Sequence, residues 1–582
     1  MEKEAAPAEF NEDYLFLGTG LTESILSASL ATHQKKSINL EAAYSYSGTF
    51  CTLTMKELER LVKEPKEYPQ KDEVQSEFKI EFHEEGVADI DQFIERYGFR
   101  GFNVDFNPRL IFSMGKATDL MIEAQIDNYI SFRSLKGLYF ADKLQGGKLE
   151  SVPTDKGSIF KSKIFSLKEK KELFNFLNTA MRYHGRQVNK DAEQNSINDF
   201  KKNVYTEINT AIKEVTKNTE LMKKDFVEFI KSAGVSSEKM IRLISSCMCN
   251  FRVNPLVAKK SKFEDHSTQS MLDRLTRFID SMHVHGELPY LYPIYGTGDI
   301  TQICSRISAV YASTFLLGTE FKVKKAEYSE EEGHALELDF ANSEAKIKAK
   351  HIYVGPEYRS LGRKLFSGEP ATPEGMDETD KHSVDDEFVR YCAYICKYEK
   401  QDYAEMGEDD NSDKPIFPLL CYLDIEPGTD DKVSSSHPIT AMVVDHTCGT
   451  TTEKCLIIYF NYYKDQGSVV DEGYLLTQFA SLLKDKFGRL SSIDPVMSVK
   501  HKQRYRSPTY EHLPHNVVLC PDTDFALDME EMFIRAKTEA LQGGDGKLFT
   551  REGEERGDDA GNDEEESQAE MDALVDLASF TI

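Results

Sequence analysis

Gly18 and Gly20 sit between an apolar run, Asp13–Leu17, and a helix-spaced set of Ile25, Leu26, Ala28, Ser29 and Leu30. Glycines in such a turn let backbone N–H groups approach a phosphate at a helix N-terminus. A second apolar run, Ser37–Leu40, is closed by Glu41, about twenty residues after the glycines, where an acidic side chain meets a ribose hydroxyl. Strand, glycine turn, helix and strand make the order of a Rossmann βαβ unit, and the chemistry served would be dinucleotide or flavin binding. The third glycine of that fingerprint is replaced by Glu23. A glycine there lets the helix pack closely on the strand, and a carboxylate there repels phosphate. The fold is expected to persist without its ligand. Gly18, Gly20 and Glu41 are therefore read as vestigial, with no cofactor.

Other chemistry leaves few marks. No P-loop, HExxH, GxSxG or EF-hand pattern occurs, so phosphoryl transfer, zinc proteolysis and serine hydrolysis lack their usual residues. His283 and His285 could share a strand face toward a metal, but histidines so placed more often lie at a surface, and no metal site is expected. Glu123 and Asp127 stand four apart with Asp105 nearby, yet carboxylates at that frequency are ordinarily solvent-facing, and no catalytic residue is assigned. The ten cysteines are scattered, without CxxC pairs or a histidine cluster, which favours reduced structural thiols over zinc or disulfides.

The formal charge of −28 argues against nucleic acid as a partner, because phosphates would be repelled. No run of about 18 apolar residues exists to span a membrane. The first residues are acidic and lack the apolar core of a signal peptide, and the last four, Ser579–Ile582, hold no cysteine for prenylation. A cytoplasmic protein is expected.

The elements that must position these residues fall into four stretches. Residues 1–160 carry the βαβ start and further strands, interrupted by a charged, proline-containing insertion at Glu64–Glu73. Residues 161–286 turn helical: Ser166–Glu169 has capping-box spacing, and amphipathic runs follow at Phe200–Phe229, Met240–Cys249 and Met271–Met282. Residues 287–544 return to strands, expected at Phe321–Tyr328, Ala335–Leu338, Ile352–Gly355, Arg390–Tyr398, Ile439–Val444 and Cys455–Tyr463, with a helix at Tyr474–Lys486. Acidic loops lie at 367–387 and 404–414, and 545–582 reads as an acidic, disordered tail. The fold class is mixed α/β: a Rossmann-like domain with an inserted all-helical lobe.

Three segments carry a family resemblance. Leu17–Leu26 with Tyr44–Gly48, Arg100–Arg109 running on to Phe132, and Pro289–Gln302 continuing through Arg306 to Thr314 resemble, in order, blocks of the Rab GDP dissociation inhibitor and Rab escort protein superfamily. The resemblance implies a fold of FAD-binding, flavoprotein-monooxygenase type without a working flavin site. It implies that one face grips GDP-bound Rab GTPases, through positions that fall on Tyr46, Asp299, Arg306 and Thr314. It further implies a groove for the Rab C-terminal segment at Ile122, Ile130, Phe132 and Tyr290, and a helical lobe that shelters geranylgeranyl lipid. The insertions, acidic loops and tail favour the escort branch. A member of that branch is not itself an enzyme: it presents Rab to the Rab geranylgeranyltransferase alpha/beta heterodimer and delivers the prenylated product to membranes transiently. The alternatives are a dissociation inhibitor that recycles prenylated Rab and, from another class, an FAD-dependent oxidoreductase.

Overall fold

A computed structural model of the chain describes residues 8–549 except 44–45, 64–74, 155, 163–164, 179–224, 253, 255, 257–266, 319–320, 341–342, 367–387, 401–415, 426–429, 436, 465–467, 489, 505–509, 522–525 and 542–547. The Glu64–Glu73 insertion, most of the Phe200–Phe229 run, both acidic loops, and the tail apart from Leu548 and Phe549 lie outside the described residues.

The apolar runs at the start form two parallel neighbours, β1 (Tyr14–Leu17) and β2 (Ser37–Glu41). Around them gather β3 (Thr314–Leu317), β4 (His351–Val354), β5 (Glu511–Leu513) and β6 (Val517–Leu519), in the order β3-β2-β1-β4-β6-β5. All pairings but β5–β6 are parallel. Parallel strands need crossovers and covering layers on both faces. Accordingly β2 is buried along its whole length.

One covering layer is α1 (Leu21–Thr32), in which every residue except Leu30 is buried. α2 (Lys116–Glu123) packs against α5 (Glu530–Ala540), α3 (Thr268–Asp280) reaches α5 through Arg277 and Glu530, and α4 (Gly298–Val310) and α5 pack on α1 itself. α1 and α4 meet through small side chains. The Ser24 and Ser305 hydroxyls lie 3.2 Å apart and those of Ser27 and Ser308 lie 2.6 Å apart. Serines permit a close backbone approach while satisfying one another's hydroxyls.

The second sheet has eight strands, mostly antiparallel, including Phe388–Lys400, Leu419–Leu423, Ile439–Asp445, Cys455–Lys464 and Leu490–Arg504. Its period-two alternation divides the core. Ala393 and Ile395 join one cluster with Met240, Ile241 and Leu272 of the helical segment. Cys392, Tyr394 and Cys396 join another with Leu475, Phe479 and Leu483 of the helix Glu472–Lys486.

In the helical segment, the Ser166 backbone N–H donates to Glu169 Oε2 at 2.9 Å and the Glu169 N–H donates to Ser166 Oγ at 3.3 Å, a reciprocal cap. Helix Phe226–Ser232 is followed by Gly234 at φ 93. The run beginning at Met240 differs from a simple helix: Glu238–Leu243 widens into a π-turn over Ile244–Met248, and Arg242 is the one charged side chain among its buried residues. A 2.5 Å pair of Arg242 with Asp424, both largely buried, fixes this segment to the large sheet. After α3 the chain returns as Tyr290–Pro293, which pairs antiparallel with Ile111–Phe112 and Phe132–Ser134.

Candidate functional site

The glycine turn is built as the spacing demands, with Gly18 at φ +110 and Gly20 capping α1. What occupies the cradle is the chain itself. Glu41 is fully buried and accepts the Thr19 N–H and hydroxyl, each at 3.0 Å, the Ala43 N–H at 3.1 Å and the Tyr358 hydroxyl at 2.8 Å. Burial raises its pKa, while these donors oppose the shift. The carboxylate that would hold a ribose is spent on its own loop. Glu23 is buried, and its carboxylate lies so close to Gly20 that a Cβ there would collide with it. Glu357 lies beside it, both carboxylates crowding Gly355, and accepts the Thr49 N–H at 3.2 Å. Ser47 closes the space, its N–H donating to the Thr19 carbonyl at 3.0 Å. A pyrophosphate would have to enter among three buried carboxylates. The residues do not fit a dinucleotide or a flavin.

Beside this cradle runs α4. Asp299 opens it and Arg306 follows seven residues later, close to two full turns, so both share a face. Arg306 is exposed and its guanidinium lies 5.3 Å from the Tyr129 ring centroid, rather than in an ion pair with Asp299. Asp299 is half-buried; burial and the nearby Asp105 carboxylate push its pKa up to about 6. Ser47, hydrogen-bonded to Thr301 and to the Gly298 carbonyl, holds the adjacent Tyr46 at the head of this helix. Tyr46 is half-buried, with its ring 5.9 Å from Phe315, and Thr314 begins that same strand, β3. Asp299 and Arg306 thus lie on one helix, Thr314 starts the strand into which it leads, and Tyr46 reaches toward that strand from the loop after β2.

The sequence grouped Asp105 with solvent-facing carboxylates, but it is the buried group that assembles this platform. Asp105 is buried and accepts the Thr52 hydroxyl, the Tyr292 hydroxyl at 2.7 Å, and the Thr297 N–H and hydroxyl at 2.9 and 3.0 Å. Arg109 is also buried: its N–H donates to Thr297 Oγ1 at 3.1 Å and its guanidinium lies 5.5 Å from the Phe50 ring. Asp105 and Arg109 therefore tie the Arg100–Arg109 segment to Thr297 at the head of α4 and to the Phe50–Thr52 stretch. The signal was available only as an acid and a base four residues apart, Asp105 and Arg109, within the Arg100–Arg109 motif.

The groove positions separate. Tyr290 is 0% exposed, packed between Phe112 at 4.7 Å and Phe278 at 6.2 Å. Ile130 is buried in a different cluster. Ile122 and Phe132 are the two that present surface. Elsewhere, His283 and His285 are exposed, Asp127 is exposed, and Glu123 accepts the Phe549 N–H at 3.0 Å. All ten cysteines are buried free thiols.

Fold and site together define a protein of mixed α/β architecture with a Rossmann-type sheet whose nucleotide cradle is filled from within. The GDP dissociation inhibitor family matches residues 8–365, more than half of the chain, and the chain belongs to that family. It is similar to the Rab GDP-dissociation inhibitor of Saccharomyces cerevisiae, 24% identical over 320 residues, covering 55% of this chain and 58% of that protein. It is also similar to the Rab proteins geranylgeranyltransferase component A of Drosophila melanogaster, 22% identical over 364 residues, covering 62% of this chain and 61% of that one. The match thus spans about 60% of the length of these relatives. Among solved structures, the Rab GDI of Plasmodium falciparum aligns over 92% of this chain and 98% of its own, with a TM-score of 0.55 at 17% identity, which shows a shared fold. Among the described residues, no helix is long and apolar enough to cross a membrane.

Proposed function

We propose that this chain is a Rab-binding escort protein: it binds GDP-bound Rab GTPases, presents them to Rab geranylgeranyltransferase and keeps the prenylated product dispersed until membrane delivery. The observation that carries the reading is the α4 platform. A carboxylate and a guanidinium share one helix face, flanked by the half-buried Tyr46 and by Thr314, in a chain of the GDP dissociation inhibitor family. A fixed guanidinium, an amphipathic tyrosine and a carboxylate suit a polar protein interface. The closed cradle agrees with a binding role in which the transferase supplies the chemistry. The Ile122–Phe132 surface is the place for the Rab C-terminal segment, and the helical segment, cored by Met240, Ile241, Ile244 and Leu272, is the place for lipid. Burying each CH₂ of such a chain gains about 0.8 kcal/mol.

Both branches of the family occur among the relatives, so the second reading is a dissociation inhibitor that recycles prenylated Rab. The inserted segments and the long chain beyond residue 365, where the family match ends, favour escort. The deciding experiment reconstitutes prenylation from unprenylated GDP-bound Rab, the transferase heterodimer, geranylgeranyl diphosphate and this protein. Lipid transfer that depends on this chain supports the escort reading. No transfer, with extraction of prenylated Rab from membranes, replaces it by the inhibitor. Absorbance near 450 nm in the purified protein would revive a flavin enzyme.

A further inference from the structure

The last described residues end at a telling place. Leu548 and Phe549 are buried in the cluster that holds Leu120 and Met121 of α2. The Leu548 carbonyl accepts the Ser29 hydroxyl at 2.5 Å, and the Phe549 N–H donates to Glu123 Oε1 at 3.0 Å. The chain therefore continues from beside the C-terminal end of α2. Immediately there, Ile122 is 48% exposed and Tyr129 is 44% exposed, with Phe132 half-buried close by in sequence. Large apolar side chains grouped at a surface mark a place where something binds. One exposed cation borders the strip, Arg306, whose guanidinium lies over the Tyr129 ring.

The sequence after Phe549 holds an apolar segment that matches the strip, beyond a spacer long enough to reach it. Between Arg551 and Glu570 stand ten acids and two arginines. Then Met571, Leu574, Val575 and Ala578 recur at i, i+3, i+4 and i+7, with Leu577 and Phe580 between and beyond them. The spacer 550–570, if it behaves as a flexible coil, spans roughly 25 Å root-mean-square. That places the apolar segment beside α2 at an effective concentration on the order of millimolar.

We propose that Met571–Phe580 docks in cis on the Ile122–Tyr129–Phe132 strip. The segment then competes with any other chain for that surface. This competition rests on the reading of the strip as the Rab C-terminal groove, whereas the docking itself does not.

The test uses the full chain in two arms. Because every described native cysteine is buried, an Ile122→Cys, Leu577→Cys pair reports proximity through disulfide formation under mild oxidation, against a Leu167→Cys, Leu577→Cys control on the helical segment. Trapping of a monomeric species at least tenfold faster at Ile122 than at Leu167 is expected. Equal rates overturn the docking, and so does trapping found only between two copies. In the second arm, a Leu574→Ser, Val575→Ser, Phe580→Ser variant is expected to bind unprenylated GDP-bound Rab about tenfold more tightly. Fast trapping without that gain keeps the docking and removes the groove reading. An Ile122→Asp variant tests the groove separately, because it lowers Rab affinity whether or not the tail docks.

Discussion

Asp299 carries its charge under strain from its surroundings. Burial, and then the Asp105 carboxylate, hold its pKa up at about 6, so the ionised form is complete only above neutral pH. If the platform engages Rab through that charge, affinity falls as pH drops from 7.5 to 5.5. Asp299→Asn should then bind at pH 7.5 about as weakly as the wild type does at pH 5.5, with a flat profile in calorimetric titrations. A hydrogen bond to a charged group contributes about 1.5–3 kcal/mol, so the loss should be tenfold or more. The variant should not unfold, since an acid with a raised folded pKa favours the protonated fold and a neutral amide resembles it. Arg306→Ala tests the other end of the helix face. Rab affinity should drop by roughly tenfold or more while the melting temperature stays within about a degree or two, because the guanidinium is exposed and lies over the Tyr129 ring rather than in the core. Unchanged affinity would mean that the interface lies elsewhere.

At the scale of elements, α4 is held against α1 by paired serine hydroxyls as well as by Ile300, Ile303 and Ile307, which share an apolar cluster with Ile25 and Leu26. Ser308 lies 2.6 Å from Ser27, and Ser305 lies 3.2 Å from Ser24. Ser308→Leu forces the helices apart and removes one of the two hydroxyl partners of Ser27, leaving Ser37 at 3.0 Å. Overpacking of this kind costs about 1–3 kcal/mol. A urea midpoint shifted by that amount, together with weakened Rab binding, is expected; a binding loss without a stability loss would contradict it. The elements themselves were legible in the sequence. The strand expected at Arg390–Tyr398 is found at Phe388–Lys400, and the helix expected from Tyr474 starts at Glu472, because periods of two and 3.6 are local properties. Glu23 was legible too, since one carboxylate in a glycine fingerprint has a local meaning. Asp105 was not: its partner Tyr292 is 187 positions away. Nor was the burial of Tyr290, which is decided by Phe112 and Phe278 arriving from two other segments. Local pattern gave the pieces, and long-range polar contacts decided how the candidate platform is assembled.

Over the whole molecule, two buried groups set opposing pH dependences. His501, stacked on Phe106 at 4.8 Å and Tyr391 at 5.0 Å within the large sheet, is held down to about 3 by burial and by Arg390. Its folded pKa lies below its unfolded one, so the stability it confers is lost as pH falls from about 6.5 toward 3. His501→Phe should reduce that acid loss in urea titrations, and an unaltered acid limb would sink the assignment. Glu530 acts from the other side. It is 1% exposed, accepts the Lys116 and Ala117 N–H groups of α2 at 2.8 and 3.3 Å, and lies 3.5 Å from the Arg277 guanidinium on α3. It thus joins α5, α2 and the helical segment in one contact, 414 positions from Lys116. Burial foremost, with Asp528 adding to it, raises its pKa to about 7 against the pull of Arg277 and of both backbone donors. Its folded pKa exceeds the unfolded value of about 4.3. The stability it lends is therefore complete below that value and is lost as pH rises through 7. Glu530→Gln keeps an acceptor for the α2 N-terminus and removes the titration. The unfolding free energy of the variant, relative to the wild type, should rise by roughly 3 kcal/mol between pH 4 and 8. A difference that does not change with pH would mean that Glu530 is ionised throughout, and that Arg277 holds the helical segment to α2 as an ordinary ion pair.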